Sequence, residues 1–186
     1  MEQQGYNGEV SYLKEGKGNM NIQNVLPPVI DESTKVLILG SMPSQLSLQK
    51  QQYYGNPRNH FWPIIGKILN CEIPSDYDER IKLLKKHHIG LWDTIQSCER
   101  EGSSDASIRN VIPNDFKNLF LKYPNIRILL FNGGKSYSVF KKYMGFELLK
   151  QVDFAKMPST SPIPGKNIKT FDEKVEEWRV IEEYIS

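Results

Sequence analysis

The chain has 186 residues, of which 39% are hydrophobic and 25% are charged, and its formal net charge is +2. These values suit one domain with a substantial core, and the small positive charge permits nucleic-acid binding without requiring it. No apolar run is long enough to span a membrane, and the first residues lack the apolar core of a signal peptide. We therefore expect a cytoplasmic, intracellular protein.

The predicted elements begin with a polar, glycine-containing segment, residues 1–23, which we interpret as a flexible tail. Residues 24–186 are expected to form a single domain. Its first strong signal is the apolar run Val36–Leu39, which is typical of a strand covered on both faces. A turn at residues 40–44 follows, and then a polar, aromatic loop, 53–58. A helix is predicted from Asn59 to Leu69.

The rest of the chain alternates between helix and strand patterns. The predicted elements are a helix at 78–87, a strand at 89–93, a polar loop at 98–105, a helix from 114 to 123, a strand at 126–131, a helix after 132–134, a strand between 147 and 157, and a helix at 171–184. Strand followed by helix, repeated about four times, indicates an α/β fold with a parallel sheet covered on both faces.

Three segments rich in unusual residues each follow a predicted strand: 40–59, 132–134 and 158–162. In parallel sheets the carboxyl ends of the strands meet at one edge, where ligands bind. We therefore expect these segments to converge on one rim. The rim offers amides, hydroxyls and aromatic rings, a set that suits stacking on a planar base and bonding to its edge. Hydroxyl-rich turns also suit phosphates.

Each of these features also has a purely structural explanation. Asn59 is equally suited to be a helix cap, and Tyr53 and Tyr54 could cover the edge of the core. The segments 132–134 and 159–161 could be ordinary turns. The two cysteines and three histidines lack the spacing of zinc or iron–sulfur ligands, so no metal or other cofactor is expected.

The segment 40–62, GSMPSQLSLQKQQYYGNPRNHFW, resembles the uracil-DNA glycosylase superfamily, and most closely its hypoxanthine-DNA (deoxyinosine) glycosylase branch. The resemblance continues through 91–108, 131–140 and 157–164. It implies a three-layer α/β/α sandwich with a central, mainly parallel four-stranded sheet. It also implies a monomeric, monofunctional enzyme of base excision repair that hydrolyses the N-glycosidic bond of a deaminated base in DNA, with hypoxanthine favoured.

Two positions depart from the pattern of the standard uracil enzymes. Met42 stands where those enzymes have an aspartate and the mismatch-specific branch has an asparagine, and Met157 stands where they have a histidine that bonds the leaving base. In the hypoxanthine branch the asparagine of the PxNxFW segment, here Asn59, is the expected catalytic amide. Both departures favour hypoxanthine over uracil.

The resemblance implies the following site. Asn59 is the catalytic residue, which orients water or bonds the base. The residues expected to bind the base are Gly40, Ser41, Met42, Pro43, Tyr53, Tyr54, Phe61 and Asn132. Those expected to bind DNA are Ser44, Ser47, Arg58, Pro158, Ser159, Thr160, Ser161 and Ile163, of which Ile163 would fill the gap left by the flipped base. Arg100 or Ser103 could line the rim, or their loop could be structural.

Three other functions stay open on the sequence. The first is a mismatch uracil/thymine glycosylase, which a panel of lesion duplexes would distinguish. The second is a module that binds damaged DNA without catalysis, although Asn59 argues against it because a binder needs no amide to position water. The third is an enzyme acting on free nucleosides, which the hydroxyl-rich turns disfavour.

Overall fold

The computed structural model describes residues 20–163 and 165–186. Seven strands form in this part of the chain: β1 Met20–Gln23, β2 Val36–Gly40, β3 Ile89–Asp93, β4 Ile95–Arg100, β5 Arg109–Pro113, β6 Ile128–Asn132 and β7 Asp153–Met157. The α-helices are α1 Gln45–Lys50, α2 Phe61–Leu69, α3 Tyr77–Lys86, α4 Phe116–Lys122, α5 Gly134–Tyr143, α6 Phe171–Trp178 and α7 Glu182–Ile185. Short 3-10 turns lie at Asp105–Ser107, Phe146–Leu148 and Arg179–Ile181.

The central sheet has four parallel strands in the order β3–β2–β6–β7. Successive residues of β2 point to opposite faces, as strand geometry requires. Val36 and Ile38 belong to a core cluster with α2 and α6, whereas Leu37 and Leu39 belong to a cluster with α4 and α5. Helices therefore cover both faces, and the predicted three-layer α/β/α sandwich with a parallel four-stranded sheet is confirmed.

A second, antiparallel sheet in the order β1–β4–β5 lies beside the first, and the sequence analysis missed it. The segment predicted to be a loop from Cys98 begins inside β4, which continues to Arg100. Met20–Gln23 pair with Ser97–Arg100, so the predicted flexible tail must end before Met20. The remainder of that predicted tail, residues 1–19, lies outside the described residues.

Two further details differ from the sequence prediction. Helix α1 follows the turn after β2, and its N-cap is Ser44, whose Oγ accepts from the amide of Ser47. The predicted C-terminal helix is α6 and α7 joined by a 3-10 turn. Helix α6 starts with a capping box between Thr170 and Glu173, which satisfies two amides of its first turn. No helix in the described ranges is long and apolar enough to cross a membrane.

Candidate active site

A cleft of about 710 Å³ opens at the carboxyl ends of the parallel strands. It is formed by the segment from Gly40 to α1, by the loop before α2, by the end of β3, and by the turn after β7. The predicted segments 40–59, 132–134 and 158–162 all contribute residues to it. A larger cavity of about 900 Å³ runs along α2 and shares Tyr54 and Asn59, but it contains none of the strand-end residues. The first cleft is the candidate site, because the polar side chains of several strands meet there.

Asn59 lies in the cleft wall with one end of its amide fixed. Its Oδ1 accepts from the backbone amide of Phe61 at 2.9 Å, which anchors the first turn of α2. The backbone amide of His60, which lies between these two residues, donates to the carbonyl of Thr160 at 3.0 Å. This bond joins the start of α2 to the turn after β7. The Nδ2 group of Asn59 has no hydrogen-bond partner among the described residues. The side chain therefore fixes the start of α2, whose N-cap position is His60, and still presents an unpaired N–H group.

Tyr54 presents the aromatic surface of the cleft. Its ring stacks on Phe61 at a centroid distance of 3.9 Å and an interplanar angle of 19°. Phe61 is buried behind it and does not line the cleft, so its predicted direct contact with the base is corrected to a supporting one. Tyr53 is also buried, and its hydroxyl donates to the carbonyl of Pro27 at 2.8 Å. Of the two tyrosines, Tyr54 is therefore the one placed to stack on a base.

Asn132 connects two walls of the cleft. Its Nδ2 donates to the Oη of Tyr54 at 3.2 Å and to the Oγ1 of Thr160 at 2.9 Å, and its Oδ1 accepts from the Thr160 amide at 3.0 Å. Both amide hydrogens are therefore used within the protein. Asn132 lines the cleft as predicted, but its amide hydrogens hold Tyr54 and the turn after β7 in place. Thr160 is buried by the same contacts, so its hydroxyl is not open to a phosphate.

The hydroxyl groups predicted to bind DNA fall into two groups. Ser47 is buried, and its Oγ accepts from the Gly55 amide at 3.0 Å, so its role is structural rather than a contact to phosphate. Ser159 is exposed, Ser161 is half-buried, and each hydroxyl accepts from a backbone amide two residues later. Ile163 is 60% exposed, as a residue that enters DNA must be.

The remaining predicted residues take separate positions. Ser41 donates its hydroxyl hydrogen to Asp105 at 2.8 Å, while Met42 and Pro43 form a buried wall of the cleft. Arg58 is exposed and stands outside the cleft lining. Pro158 is half-buried, and its carbonyl accepts from the indole of Trp178.

Arg100 anchors the loop after β2 from the buried side of that loop. It is fully buried, and it donates from Nε to the Gly102 carbonyl at 2.9 Å and from Nη1 to the Met42 carbonyl at 3.4 Å. Burial lowers its pKa, and the neighbouring Asp105 and Asp93 oppose this shift. Ser103 lines the cleft, and its Oγ accepts from the Gln45 amide. Of the two residues proposed for the rim, Ser103 reaches it, whereas Arg100 supports it.

Sequence reasoning missed Asp93, the last residue of β3. It is 4% exposed and lies opposite Gly40 in the register of the sheet. Its Oδ2 accepts from Nδ2 of Asn24 at 3.0 Å, and its carboxyl group lines the cleft. Burial raises the pKa of this carboxyl to about 7, against the lowering effect of the Asn24 hydrogen bond. The sequence held a signal: an acidic residue ends a predicted strand adjacent to the strand that carries the main motif.

Comparison with known proteins supplies the family. The model of the uracil DNA glycosylase superfamily matches residues 27–182. The chain belongs to this superfamily. A hypoxanthine DNA glycosylase of Methanosarcina barkeri is 44% identical over 124 residues, which cover 65% of this chain and 78% of the relative. A hypoxanthine DNA glycosylase of Methanosarcina acetivorans is 38% identical over 163 residues, covering 86% and 98% of the two chains.

A solved structure agrees with this membership. The solution NMR structure of a candidate uracil DNA glycosylase from Methanosarcina acetivorans has a TM-score of 0.68 to this chain and 37% sequence identity, covering 84% of this chain and 96% of the other. Within the described residues, no group of three histidine, cysteine, aspartate or glutamate side chains is arranged to hold a metal ion.

Proposed function

We propose that this glycosylase excises hypoxanthine from deoxyinosine in DNA by hydrolysing the N-glycosidic bond. The observation that carries the proposal is the cleft itself: Asn59 and Met42 line it, and the buried Met42 and Met157 lie two residues after β2 and at the end of β7. A thioether can neither hold the attacking water firmly nor donate to a departing base. Relatives named hypoxanthine DNA glycosylase match most of the chain, which supports the same substrate.

The reaction needs a water molecule held on one side of the sugar. As the C1′–N bond breaks, positive charge develops on the sugar and negative charge on the base, and the protein must stabilise both. The Oδ1 atom of Asn59 has a second lone pair beside the bond from Phe61, and that lone pair accepts a hydrogen of the water. The Nδ2 group is free to bond the nucleotide. Anchoring by the helix keeps this amide in position before DNA binds.

The base stacks on Tyr54 after it leaves the duplex. Base–aromatic stacking contributes about 1–3 kcal/mol in nucleic-acid complexes. Tyr54 has a positive φ of 54°, and it is held by the ring of Phe61 and by the amide of Asn132. Its ring is thus ordered in advance, so little conformational entropy is lost when a base enters.

The exposed side of the cleft serves the DNA backbone. Ser159 and Ser161 carry hydroxyls at the rim, and Arg58 adds a positive charge beside it. The hydroxyl of Ser44 is bound within the protein, because it donates to Ser47 Oγ and caps α1. Ile163 fills the space vacated by the flipped base, as apolar wedges do in proteins that open the base stack.

The test uses labelled duplexes that carry one deoxyinosine, deoxyuridine or deoxyxanthosine, with abasic product revealed by alkali. Wild type is compared with Asn59→Ala and Asn59→Ser. A serine hydroxyl can likewise accept from the backbone amide two residues later, but its side chain is too short to reach the same water. We expect cleavage at deoxyinosine by wild type, a loss on the order of 10²-fold in both variants, and a lower melting temperature only for Asn59→Ala.

Other outcomes would change the assigned substrate or the role of Asn59. Cleavage mainly at deoxyuridine would retain the reaction and reject the base. Duplex binding without any abasic product would indicate a non-catalytic damage-binding module. Full activity of Asn59→Ser would show that this residue has only a structural role, through its bond to the Phe61 amide.

A further inference from the structure

The two oxygens of the Asp93 carboxyl group have different environments. Oδ2 is fixed by the side chain of Asn24, which is itself held because its Nδ2 also donates to the Ile95 carbonyl at 3.2 Å and its Oδ1 accepts from the Leu26 amide at 3.0 Å. Oδ1 lies above Gly40, where a Cβ would come within 2.5 Å of it. No described residue donates a hydrogen bond to Oδ1. This oxygen is left for a ligand in the cleft.

This asymmetry also decides where a proton would reside. The Asn24 N–H group can only donate, so Oδ2 acts as the acceptor, and a proton on the carboxyl group lies on Oδ1. The protonated group therefore directs an O–H donor at the cleft. A carboxylic acid kept neutral in an enzyme site can stabilise an anion in this way.

The neighbours of Asp93 make the neutral form accessible near neutral pH. The charged and titratable groups that face it are Asp105 from a 3-10 turn, Arg100 from β4, Tyr53 and Tyr54 from the loop before α2, and Tyr77 from α3. Among the described residues no cation forms an ion pair with Asp93. Burial, with the repulsion of Asp105, outweighs the effects of Asn24 and Arg100, and the pKa rises to about 7.

Few groups in the cleft can transfer a proton to a departing base. Both hydrogens of the Asn132 amide are bound to Tyr54 and Thr160, and the hydroxyl hydrogen of Ser41 goes to Asp105. The Nδ2 group of Asn59 and the hydroxyl of Tyr54 can donate hydrogen bonds, but an amide does not give up a proton near neutral pH, and burial raises the pKa of the phenol. Asp105 also lines the cleft but is exposed, whereas Asp93 is buried there with one carboxyl oxygen that no described residue binds.

We propose that Asp93 is the catalytic acid, which donates its Oδ1 proton to the leaving purine at an acceptor of the N7/O6 edge. This inference rests on the proposed function. Hypoxanthine shares these two acceptors with guanine. The C1′–N9 bond breaks with its electron pair moving to the base, which takes the proton from Asp93 and departs neutral. Water forms the new C1′–O bond and releases one proton to solvent, from which the Asp93 carboxylate is reprotonated.

The experiment measures single-turnover excision of hypoxanthine from a deoxyinosine duplex between pH 5.5 and 8.5, for wild type and for Asp93→Asn. Free hypoxanthine is quantified alongside the abasic strand. We expect the wild-type rate constant to be constant at low pH and to fall tenfold per pH unit above about 7. Asp93→Asn keeps the shape and the acceptor for Asn24 but has no transferable proton. Its rate should be lower by roughly 10²–10⁴-fold at pH 6.5 and flat across the range.

The outcomes separate this proposal from the previous one. If wild type releases no hypoxanthine at any pH, the proposed function fails first. If wild type is active and Asp93→Asn matches it in rate and pH profile, the catalytic acid is rejected while the function stands. A wild-type rate that rises through pH 7 would instead make Asp93 a general base for the water. The pH dependence of the wild-type rate constant tests the catalytic acid even if the variant does not fold.

Discussion

The Oδ1 atom of Asp93 lies so close to Gly40 that a methyl group on residue 40 would come within 2.5 Å of it, and 3.8 Å from the hydroxyl of Tyr54. Gly40 ends β2 and Asp93 ends β3, at paired positions of the sheet. The absence of a side chain at Gly40 is therefore what leaves room for the carboxyl group beside it.

Gly40→Ala should displace the Asp93 carboxyl group. We expect a destabilisation of about 1–3 kcal/mol, because a methyl group is forced into a filled space, together with a large loss of excision. Urea denaturation and single-turnover kinetics measure the two effects. Gly134→Ala is the matched control, since a Cβ at Gly134 meets no atom within 4 Å. If both variants behave like wild type, the close approach at Gly40 has no functional meaning.

Asp93→Asn should stabilise the protein at neutral and alkaline pH. The ordinary pKa of this carboxyl is 3.8 and the folded value is about 7, so between these values the native state binds more protons than the unfolded chain. The free energy of unfolding of wild type therefore falls as the pH rises through this window. The variant does not lose stability in this way. We expect its free energy of unfolding to exceed that of wild type by roughly 2–4 kcal/mol above pH 7 and by little at pH 4.

Urea titrations at pH 4 and pH 8 test this difference. Asp78→Asn, at an exposed position of α3, is a control for a change of charge alone and should alter stability by less than about 1 kcal/mol. An Asp93→Asn protein that is less stable than wild type at pH 8 would contradict the prediction.

Asn132→Leu should loosen both Tyr54 and the turn after β7. The substitution leaves the Thr160 amide and hydroxyl without partners in a buried position, which costs about 1–3 kcal/mol. Excision should decrease as well, because Tyr54 loses the amide that holds its hydroxyl. Asn125→Ala removes only an exposed hydrogen bond to the Glu32 carbonyl and serves as the control. Equal melting temperatures for the two variants would count against the proposed support.

His60 and Lys174 should make the fold sensitive to acid. The Nζ of the buried Lys174 lies 3.3 Å from Nδ1 of His60, and burial followed by repulsion from Lys174 lowers the histidine pKa below 6.5. The unfolded chain then binds more protons than the native state below pH 6.5, so the free energy of unfolding decreases as the pH falls from 7 to 5.

His60→Gln tests this coupling, because the glutamine Oε1 can still accept from Lys174 but does not titrate. Its stability should decrease less steeply over the same pH range in urea titrations. Parallel slopes for wild type and variant would show that the pair has no part in acid sensitivity.

The parallel sheet could be predicted because its buried strands are continuous apolar runs, as in Val36–Leu39 and Ile126–Phe131. The convergence of segments 40–59, 132–134 and 158–162 followed from topology alone, and the cleft confirms it. The antiparallel sheet escaped prediction because β5 is largely exposed and β1 is short and polar, so neither carries an apolar run. The pairing that makes them strands is between residues distant in sequence.

Within the site, the directions of the side chains could not be predicted from the sequence. Both Tyr53 and Tyr54 line the cleft, and the sequence could not tell which of them is the more exposed there. The difference depends on the positive φ of Tyr54 and on the hydroxyl contact of Tyr53 to Pro27. Asn132 was predicted at the right place, but its partners are known only from the fold. Asp93 was overlooked because one acidic residue at the end of a predicted strand is a weak signal until Gly40 and Asn24 are placed next to it.

The contact from Asn24 to Asp93 joins residues 69 positions apart, and Asn24 directly follows β1, the edge strand of the antiparallel sheet. Asn24, at the start of the domain, therefore orients the proposed catalytic acid. A shortened expression fragment beginning at Pro27 would retain the whole parallel sheet and every residue of the GSMPS–NHFW segment, yet it would leave the Asp93 carboxyl group free to rotate. Boundaries for crystallisation or fusion proteins are thus best placed before Met20.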